Sequence, residues 1–344
     1  MRQSLRSILK RPAVLDSFLS REPRSPGIAT LRDVYYCYRL LLGRTASPEE
    51  KKGWKQRLKK ESIDLEMLID EFQRCDEYRN RQRMMRQPIL LQLERFKIYV
   101  RRNDWVIGAT IMRDKTYEPH VTKEIIPLLA TDTVMVDIGA NVGYFSLLAA
   151  SLIGSTGKVV AFEPVHDNCE LIHMSLMENG FNNVEVHPYA VADKKQVLAL
   201  RIDGSDGTII QGDLIVGQPI PPHDELAQAI TLDDFLRNEP KVDLIKVDVE
   251  GAEARALRGM QRLVQQHHPV IFTELFPTLL EMNSNTSAES YLDNIRSLGY
   301  ELFVLPVDGN RSHTPQSNKE ILASLEQYRK TYNRSWLELV AYPI

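Results

Sequence analysis

The sequence predicts an α/β protein with a Rossmann-like, doubly wound and mostly parallel sheet of seven strands, preceded by a small all-helical domain. Two observations support this fold class. From about residue 133 onward, short runs of valine, isoleucine and leucine alternate with helical patterns, as in parallel strands covered by helices on both faces. Between residues 31 and 86, apolar residues recur at helical spacing. We therefore expect a tail over 1–30, a helical module over 31–86 and an α/β domain over 87–344.

Three short amphipathic helices are expected in the helical module. The first ends at Gly43, a residue suited to the left-handed backbone that commonly closes a helix. The second begins at "SPEE", where Ser47 is the expected N-cap and Glu50 completes a capping box. The core faces are expected to carry Val34, Tyr38, Leu41 and Leu42, then Trp54 and Leu58, then Leu65, Leu68, Ile69 and Phe72.

Seven strand segments follow in the α/β domain, and helical segments separate most of them. The expected strands cover 133–139, 158–164, 184–192, 242–250, 270–275, 300–306 and 336–343. Ahead of them, alternating apolar and polar residues predict a β-hairpin at about 94–112. The segment 204–227 carries several glycine and proline clusters and is expected to be an insertion loop and a candidate lid.

The turn after the first strand, "DIGANVG", is the expected ligand site. In doubly wound sheets, ligands bind beyond the carboxyl ends of the strands, where the strand order reverses. The turn lacks the G-x-G-x-x-G pattern that closes on a pyrophosphate. The strand is expected to end at Asp137. The turn that follows contains Gly139, Ala140, Asn141, Val142 and Gly143.

An acid followed by glycines suits a ligand that has an amino-acid end and no phosphate. Asp137 can accept from an ammonium group, and glycines let the backbone approach closely. S-adenosylmethionine is such a ligand. Glu163 ends the second strand, 20 residues after Gly143, where an acid can accept from both ribose hydroxyls. The alternative is a plain tight turn in which Asp137 caps the following helix.

Three charged residues near the end of the fourth strand are the candidate catalytic set. Lys246, Asp248 and Glu250 are spaced by two, so in an extended strand they project to the same side. Asp248 or Glu250 would receive the proton of an acceptor hydroxyl, directly or through water, while Lys246 orients the acceptor. In the alternative, Glu250 and Glu253 complement the dipole of the following helix.

Glu274 ends the next strand and is expected to face the same crevice. Together with Asp248 it could hold Mg²⁺, which prefers hard oxygen ligands, so a divalent metal is considered but not favoured. His223, on the candidate lid, is an alternative base, although a lone histidine in a loop is more often simply solvated.

Charge is unevenly divided along the chain. Residues 1–102 carry 24 Lys and Arg against 13 Asp and Glu, whereas the remaining residues carry 19 against 33. A basic front part favours an anionic glycan, nucleic acid or a membrane surface, but is more often a solvated helix face. Three widely spaced cysteines, no secretory signal and no apolar run of membrane-spanning length predict a cytoplasmic protein.

From about Glu94 to Ile344 the chain resembles the FkbM family of S-adenosylmethionine-dependent methyltransferases. The resemblance rests on "VDIGANVGYFSLLAA", "VVAFEPVHDNCELI", "AITLDDFL", "LIKVDVEGAEARALRGM" and "PVIFTEL", in the usual order. It implies a class I methyltransferase fold and O-methylation of hydroxyls on sugars, polysaccharides or secondary metabolites. It also implies that Asp137, Gly139, Ala140, Asn141, Gly143 and Glu163 bind the cofactor, that Asn168 orders the loop after the ribose, that Glu118 of the "YE" pair lies near the methionine end, and that Val191 lies beside the adenine.

Residues 31–83 resemble a short helical module of unknown function found in bacterial proteins, often beside glycan-handling enzymes. The shared features are "LLGR" at the end of the first helix, Pro48-Glu49 with Trp54, and "DEYRNR". This implies a packing or docking role, or else glycan binding. We therefore expect a bacterial O-methyltransferase of polysaccharide biosynthesis, acting on a sugar, polysaccharide or glycosylated metabolite, with no nucleic-acid partner.

Three alternatives stay open. They are an O-methyltransferase of a small secondary metabolite such as a polyketide, a nucleotide-dependent oxidoreductase on the same fold, and a non-catalytic glycan-binding protein. The absent G-x-G-x-x-G pattern disfavours the oxidoreductase, and the acids at the strand ends disfavour the binding protein. The identity of the acceptor and the oligomeric state stay open as well.

Overall fold

The computed structural model describes residues 27–203, 205–211, 224–308 and 311–344. They form two compact units, one ending at Gln87 and the other running from Pro88 to Ile344. Most of the expected tail over 1–30 lies outside the described residues, and so does His223. No helix in the described part of the chain is long and apolar enough to cross a membrane.

The smaller unit is helical, as predicted. Residues 27–87 form α1 (Leu31–Cys37), α2 (Pro48–Lys60), α3 (Leu65–Arg74) and α4 (Asp76–Arg86). A π-helical turn continues α1 and ends at Gly43, whose φ of 72° confirms the expected C-cap. Ser47 and Glu50 form the predicted capping box at the start of α2.

The expectation of three helices in this unit is wrong, because α4 follows α3 as a separate helix. Cys75 breaks the helical path with an extended backbone and caps α4. None of the residues of α4 is buried, so the sequence offers no apolar stripe by which to recognise it. The core of the unit contains Tyr38, Trp54 and Phe72, with Trp54 and Phe72 stacked at 5.5 Å between ring centroids.

The larger unit alternates strands and helices. Its strands are β1 (Pro88–Gln92), β2 (Lys97–Arg101), β3 (Val134–Ile138), β4 (Lys158–Phe162), β5 (Val184–His187), β6 (Tyr189–Val191), β7 (Gln196–Asp203), β8 (Asp206–Gln211), β9 (Asp224–Ile230), β10 (Leu244–Val247), β11 (Val270–Leu275), β12 (Tyr300–Leu305) and β13 (Leu337–Pro343). Its α-helices are α5 (Ile107–Asp114), α6 (Pro119–Ile125), α7 (Tyr144–Ala150), α8 (His166–Asn179), α9 (Leu232–Phe235), α10 (Glu253–Arg258), α11 (Gln261–His267), α12 (Pro277–Ser284), α13 (Ala288–Ser297) and α14 (Asn318–Tyr332).

The main sheet confirms the predicted doubly wound fold. Its seven strands lie in the order β12-β13-β11-β10-β3-β4-β5, and all neighbours are parallel except β13, which is antiparallel to both β11 and β12. The chain winds from β3 to β4 and β5, then crosses to β10 and β11 on the other side. The strand order therefore reverses between β3 and β10, which is where such sheets place ligands.

The sheet separates two apolar cores, and strand residues alternate between them. Val136 of β3 and Ile245 of β10 belong to the core that includes α10 to α14. Met135 and Leu244 belong to the other core, which includes α5 to α8. Because side chains alternate along a strand, Asp137 and Lys246 project to the same face as Met135 and Leu244.

The predicted hairpin at 94–112 is wrong in position. β2 pairs instead with β1, which precedes it, while residues 107–114 form α5. Asp104 decides this outcome, since its carboxylate accepts from the backbone N–H groups of Val106, Ile107 and Gly108. A short apolar run fits both the strand period and the helix period, and here the capping acid favours the helix.

The expected insertion loop at 204–227 is partly strand. β8 lies within it and β9 begins in it, and both join β6 and β7 in a second sheet of order β6-β9-β7-β8, whereas residues 204 and 212–223 lie outside the described residues. This also divides the predicted strand 184–192, because β5 belongs to the main sheet and β6 to the second. The helix predicted after the fourth strand is likewise split into α10 and α11 at Gly259, where an added Cβ would lie 2.0 Å from the Ala192 carbonyl oxygen.

Candidate active site

The predicted ligand site lies where the strand order reverses. Asp137 of β3 and Lys246 of β10 are register partners on adjacent strands, one residue before each strand ends. The Asp137 carboxylate accepts a hydrogen bond of 2.6 Å from Ser146 Oγ of α7. Burial raises the pKa of Asp137, while Lys246 and Ser146 oppose that shift by favouring the charged form.

The glycines of the turn are required by the chain itself. Gly139 and Gly143 have φ values of 81° and 86°, which side chains rarely adopt. A Cβ on Gly139 would lie 1.9 Å from the Asp248 carbonyl oxygen, and one on Gly143 would lie 2.9 Å from the Ile172 side chain. The turn is therefore packed tightly against β10 and α8, which fixes its position beside Asp137.

Glu163 follows β4, and its carboxylate accepts hydrogen bonds from the glycine turn, from Val165 and from α8. Its Oε2 accepts from the Asn141 backbone N–H at 2.7 Å, and its Oε1 accepts from the Val165 N–H at 2.9 Å and Asn168 Nδ2 at 3.2 Å. Burial raises the pKa of Glu163 to about 7, although these three bonds favour the charged form. The acid, the glycine turn and the start of α8 thus form one connected cluster.

Ser205, between β7 and β8, completes this cluster and was not predicted as a site residue. Its carbonyl oxygen accepts from Asn168 Nδ2 at 2.7 Å and from Asn141 Nδ2 at 3.1 Å. Asn168 Oδ1 and Ser205 Oγ are buried yet lack a hydrogen-bond partner within the described residues. Two unpaired polar atoms beside Glu163 are costly unless a ligand or water bonds to them.

A cleft of about 270 Å³, including its open mouth, lies at the carboxyl ends of β10 and β11 and the start of β13. Its polar lining residues are Glu118, Lys246, Asp248, Thr273, Glu274 and Glu338. Lys246 links the cleft to the turn, because it neighbours Asp137 and its Nζ lies 2.7 Å from Asp248 Oδ2. Burial lowers the pKa of Lys246, but Asp248, Glu118 and Asp137 more than offset this, so that its pKa is raised overall.

Two carboxyls in the cleft have strongly perturbed pKa values. Burial raises the pKa of Glu118 to about 8, and Lys246 opposes this shift. Burial also raises the pKa of Glu274 well above its usual range, and the negative charges of Asp248 and Glu250 add to the effect. Both shifts therefore favour the protonated, uncharged form of the carboxyl group.

Glu338, His120 and Arg334 also belong to this region and were missed in the sequence. Glu338 is the register partner of Glu274 across the antiparallel β11–β13 pair. Its Oε2 lies 3.0 Å from His120 Nε2, and Arg334 donates to its Oε1. No local pattern marks them, because they come together only through the antiparallel insertion of β13.

The expectation that Glu250 shares a strand face with Lys246 and Asp248 is wrong. β10 ends at Val247, and Glu250 has a left-handed φ of 52°, so the alternation stops before it. The turn is stabilised by Glu253, whose Oε1 accepts from the N–H groups of Val249 and Gly251 at 3.0 and 3.2 Å. Glu250 still lies near enough to raise the pKa of Glu274.

The remaining predicted residues have different surroundings. Val191 is 4% exposed and packs in the apolar core with Val136 and Ile230, so its place beside an adenine stays a prediction. Asp248 and Glu274 line the same cleft. Within the described residues, no group of three or more His, Cys, Asp or Glu side chains is placed to hold a metal ion.

Known methyltransferases are similar to this part of the chain. The family model described as "Methyltransferase FkbM domain" matches residues 137–302, which include the turn, Glu163, Lys246 and Asp248. Methyltransferase 1 of Beauveria bassiana (strain ARSEF 2860) is 27% identical over 172 residues, which are 45% of this chain and 66% of that protein.

Solved structures of methyltransferases are also similar. A methyltransferase FkbM from Methylobacillus flagellatus KT has 18% identity and a TM-score of 0.37, with 90% of this chain and 59% of that chain covered. A SAM-dependent O-methyltransferase from Thermotoga maritima has 13% identity and a TM-score of 0.37, with 74% and 85% covered. The chain thus spans less than two thirds of the first of these structures and of the Beauveria relative.

The matched segment and the doubly wound sheet agree with the resemblance noted in the sequence. Residues 137–302 are therefore similar to methyltransferase FkbM domains.

Proposed function

We propose that the chain is an S-adenosylmethionine-dependent O-methyltransferase that acts on a hydroxyl of a sugar, polysaccharide or glycosylated metabolite. The observation that carries the proposal is the arrangement at the switch point. Asp137 and Lys246 are neighbours across β3 and β10, with the Glu163 cluster on one side and the carboxyl-lined cleft on the other. A cofactor site and an acceptor site would thus share one edge of the sheet.

The Glu163 cluster fits the nucleoside end of S-adenosylmethionine. A ribose offers neighbouring hydroxyls. The cluster offers the Glu163 carboxyl together with two buried polar atoms, Asn168 Oδ1 and Ser205 Oγ, for which the described part of the chain provides no partner. Asp137 would hold the amino-acid end, with the turn residues Gly139, Ala140, Asn141 and Gly143 between them. When bound, S-adenosylmethionine supplies a methyl group on a positively charged sulfur.

The cleft supplies positioning, which is most of what methyl transfer requires from a protein. The Lys246–Asp248 pair offers a donor and an acceptor that can fix a hydroxyl of the acceptor. Phe145 lies under Lys246, with Nζ 4.5 Å from the ring centroid, and limits its movement. We assign Lys246 and Asp248 to acceptor orientation, with Glu250 at the mouth of the same region.

The protonation pattern of the cleft favours an acceptor rich in hydroxyls. Protonated Glu274 can donate a hydrogen bond, and Glu118 can donate or accept one according to its protonation, whereas Asp248 and Glu338, each bound to a cation, can accept them. A sugar hydroxyl both donates and accepts, so it can bond to either kind of group. An anionic acceptor would instead meet several carboxyl groups and be repelled.

We also propose that the protein acts in the cytoplasm, in polysaccharide biosynthesis. All three cysteines, Cys37, Cys75 and Cys169, are free thiols, which is typical of proteins in reducing compartments. The helical unit would serve as a docking module for the acceptor or for a partner of the same pathway. A divalent metal is not part of the proposal.

The function can be tested by binding and transfer measurements. Titration calorimetry with S-adenosylhomocysteine and with NADH should give binding of the first alone. Transfer of labelled methyl groups to a panel of sugars, lipopolysaccharide fragments and extracts would then identify the acceptor. Binding of NADH, or no binding of S-adenosylhomocysteine, would contradict the proposal. The control is Asp137→Asn, which should lose cofactor binding and keep its fold.

A further inference from the structure

Glu118 has a backbone conformation that is unusual for a residue other than glycine. Its φ of 40° and ψ of 65° lie in the left-handed region, and it directly precedes Pro119, the first residue of α6. Left-handed backbone in a residue other than glycine is uncommon, and such positions cluster at functional sites. Here the conformation allows the helix to start at Pro119 while the Glu118 side chain lines the cleft.

The carboxyl groups of the cleft differ in whether other residues already bond to them. Asp248 accepts from Lys246, and Glu338 accepts from Arg334 and lies 3.0 Å from His120. For Glu118 and Glu274, the described part of the chain provides no hydrogen-bond partner to the carboxyl group. These two are therefore the groups available to bond to a ligand in the cleft.

Charge distinguishes Glu118 from Glu274. The charged groups that act on Glu118 are Lys246 of β10, Asp248 just after that strand, Glu338 of β13 and Arg334 just before it, so two cations support its ionised form. The groups that act on Glu274 are Asp248, Glu250, Glu253 and Glu338, all of them acidic. Glu118 can thus ionise more readily than Glu274.

We propose that Glu118 is the group that takes the proton of the acceptor hydroxyl, and that Glu274 stays protonated and donates a hydrogen bond to the acceptor. This rests on the proposed function and refines it, because the resemblance assigns Glu118 only to the methionine end of the cofactor. In the step, the hydroxyl oxygen forms a bond to the methyl carbon. The carbon–sulfur bond breaks with its electron pair left on sulfur, and the hydroxyl proton passes to the Glu118 carboxylate.

Proton transfer to Glu118 should make kcat/KM depend on pH. Its pKa of about 8 means that the charged form grows as the pH rises through that value. kcat/KM should therefore increase with pH up to about 8 and then level. A cation bound near Glu118 favours the charged form, so S-adenosylmethionine should lower this pKa whereas the neutral thioether of S-adenosylhomocysteine should lower it less.

The test compares the wild type with Glu118→Gln and with a control, Glu239→Gln. Glu239 is also a partly buried carboxylate, but it pairs with Lys158 at the opposite edge of the sheet. In Glu118→Gln, we expect S-adenosylhomocysteine affinity within about threefold of wild type and methyl transfer reduced by about 10²–10⁴-fold. Glu118→Asp should restore part of the transfer, and Glu239→Gln should leave both quantities unchanged.

A second readout does not depend on the acceptor. In protein labelled with ¹³C at the glutamate carboxyls, one resonance should titrate with a midpoint of about 8, disappear in Glu118→Gln and move to a lower midpoint with S-adenosylmethionine. Persistence of that resonance in Glu118→Gln would overturn the assignment. So would a loss of cofactor affinity that accounts for the whole loss of transfer. Failure of the wild type to bind S-adenosylhomocysteine would instead count against the proposed function.

Discussion

Two groups of carboxyls lie at the same edge of the sheet, the buried Glu163 and the half-buried Glu118 and Glu274, and they differ in their hydrogen bonds. Glu163, beside the glycine turn, receives three hydrogen bonds from the chain. Glu118 and Glu274, in the cleft, have strongly raised pKa values, and the described residues give their carboxyls no hydrogen bond. A carboxyl held from several sides is suited to binding a fixed group, whereas one without partners is suited to exchanging a proton.

Lys246 connects the two groups, and its loss should have the largest effect. Lys246→Met leaves Asp137 and Asp248 without their nearby cation, so we expect about 3 kcal/mol less unfolding free energy and methyl transfer close to background. Urea unfolding and a transfer assay would measure this. Lys241→Met, which removes a more exposed lysine at the amino end of β10, should change neither by much. Near-normal activity in Lys246→Met would separate the two groups and contradict this account.

The raised pKa values predict how stability depends on pH in the absence of ligand. Glu163 and Glu253 have pKa values of about 7 and Glu118 of about 8, against about 4.3 in an unfolded chain. Between these values the folded state holds protons that the unfolded state has lost, so stability falls as the pH rises. We expect unfolding free energy to decrease from pH 5 to pH 8, by on the order of 2 kcal/mol each for the buried Glu163 and Glu253 and by less for the half-buried Glu118.

The same measurement can separate the contribution of Glu163 to this pH dependence from that of Glu118. In urea unfolding, Glu163→Gln should remove the part of the decrease that ends near pH 7, and Glu118→Gln the part that extends to about pH 8. Stability that rises with pH over this range would show that these carboxyls are charged in the folded protein. That outcome would remove the distinction between them.

Loss of the Glu163 carboxylate should weaken cofactor binding moderately. Glu163→Gln keeps the shape but removes the charge that bonds to ribose hydroxyls, so we expect S-adenosylhomocysteine to bind roughly tenfold more weakly by calorimetry. Glu185→Gln, at an exposed position of β5, is the matched control. An unchanged affinity in Glu163→Gln would mean that the cluster serves the fold alone.

Ser205→Ala should have the smallest effect. The carbonyl of residue 205 would still bond to Asn141 and Asn168, and only the unpaired Oγ would be lost. If that hydroxyl contacts the cofactor, affinity should fall by about two- to fivefold, while unfolding free energy stays the same or rises slightly. Ser297→Ala, on the surface, provides the comparison. Tighter binding in Ser205→Ala would place the cofactor away from this residue.

Much of the fold follows from local patterns. The strands of the main sheet, the capping box of α2 and the turn after β3 are each encoded within a few consecutive residues. Asp137 and Glu163 could also be chosen from the sequence, because they lie at the carboxyl ends of adjacent parallel strands, whereas Asn168 was assigned through the family resemblance. Their position at one edge then follows from the topology.

Other parts of the site depend on contacts that no local pattern reveals. Glu338 reaches Glu274 only because β13 inserts antiparallel to β11. Ser205 reaches Asn141 and Asn168 from the second sheet, far along the chain. Glu250 was misplaced because a strand period was extended past Val247, where the backbone turns left-handed. α4 and the displaced hairpin show the same limit, since capping residues outweighed apolar periodicity there.

The most direct test of the account is calorimetric titration of S-adenosylhomocysteine into three proteins: wild type, Glu163→Gln and Glu118→Gln. The account predicts clear binding to wild type, roughly tenfold weaker binding to Glu163→Gln and nearly unchanged binding to Glu118→Gln. The reverse pattern, in which Glu118→Gln loses binding and Glu163→Gln keeps it, would contradict the division between a binding turn and a reactive cleft.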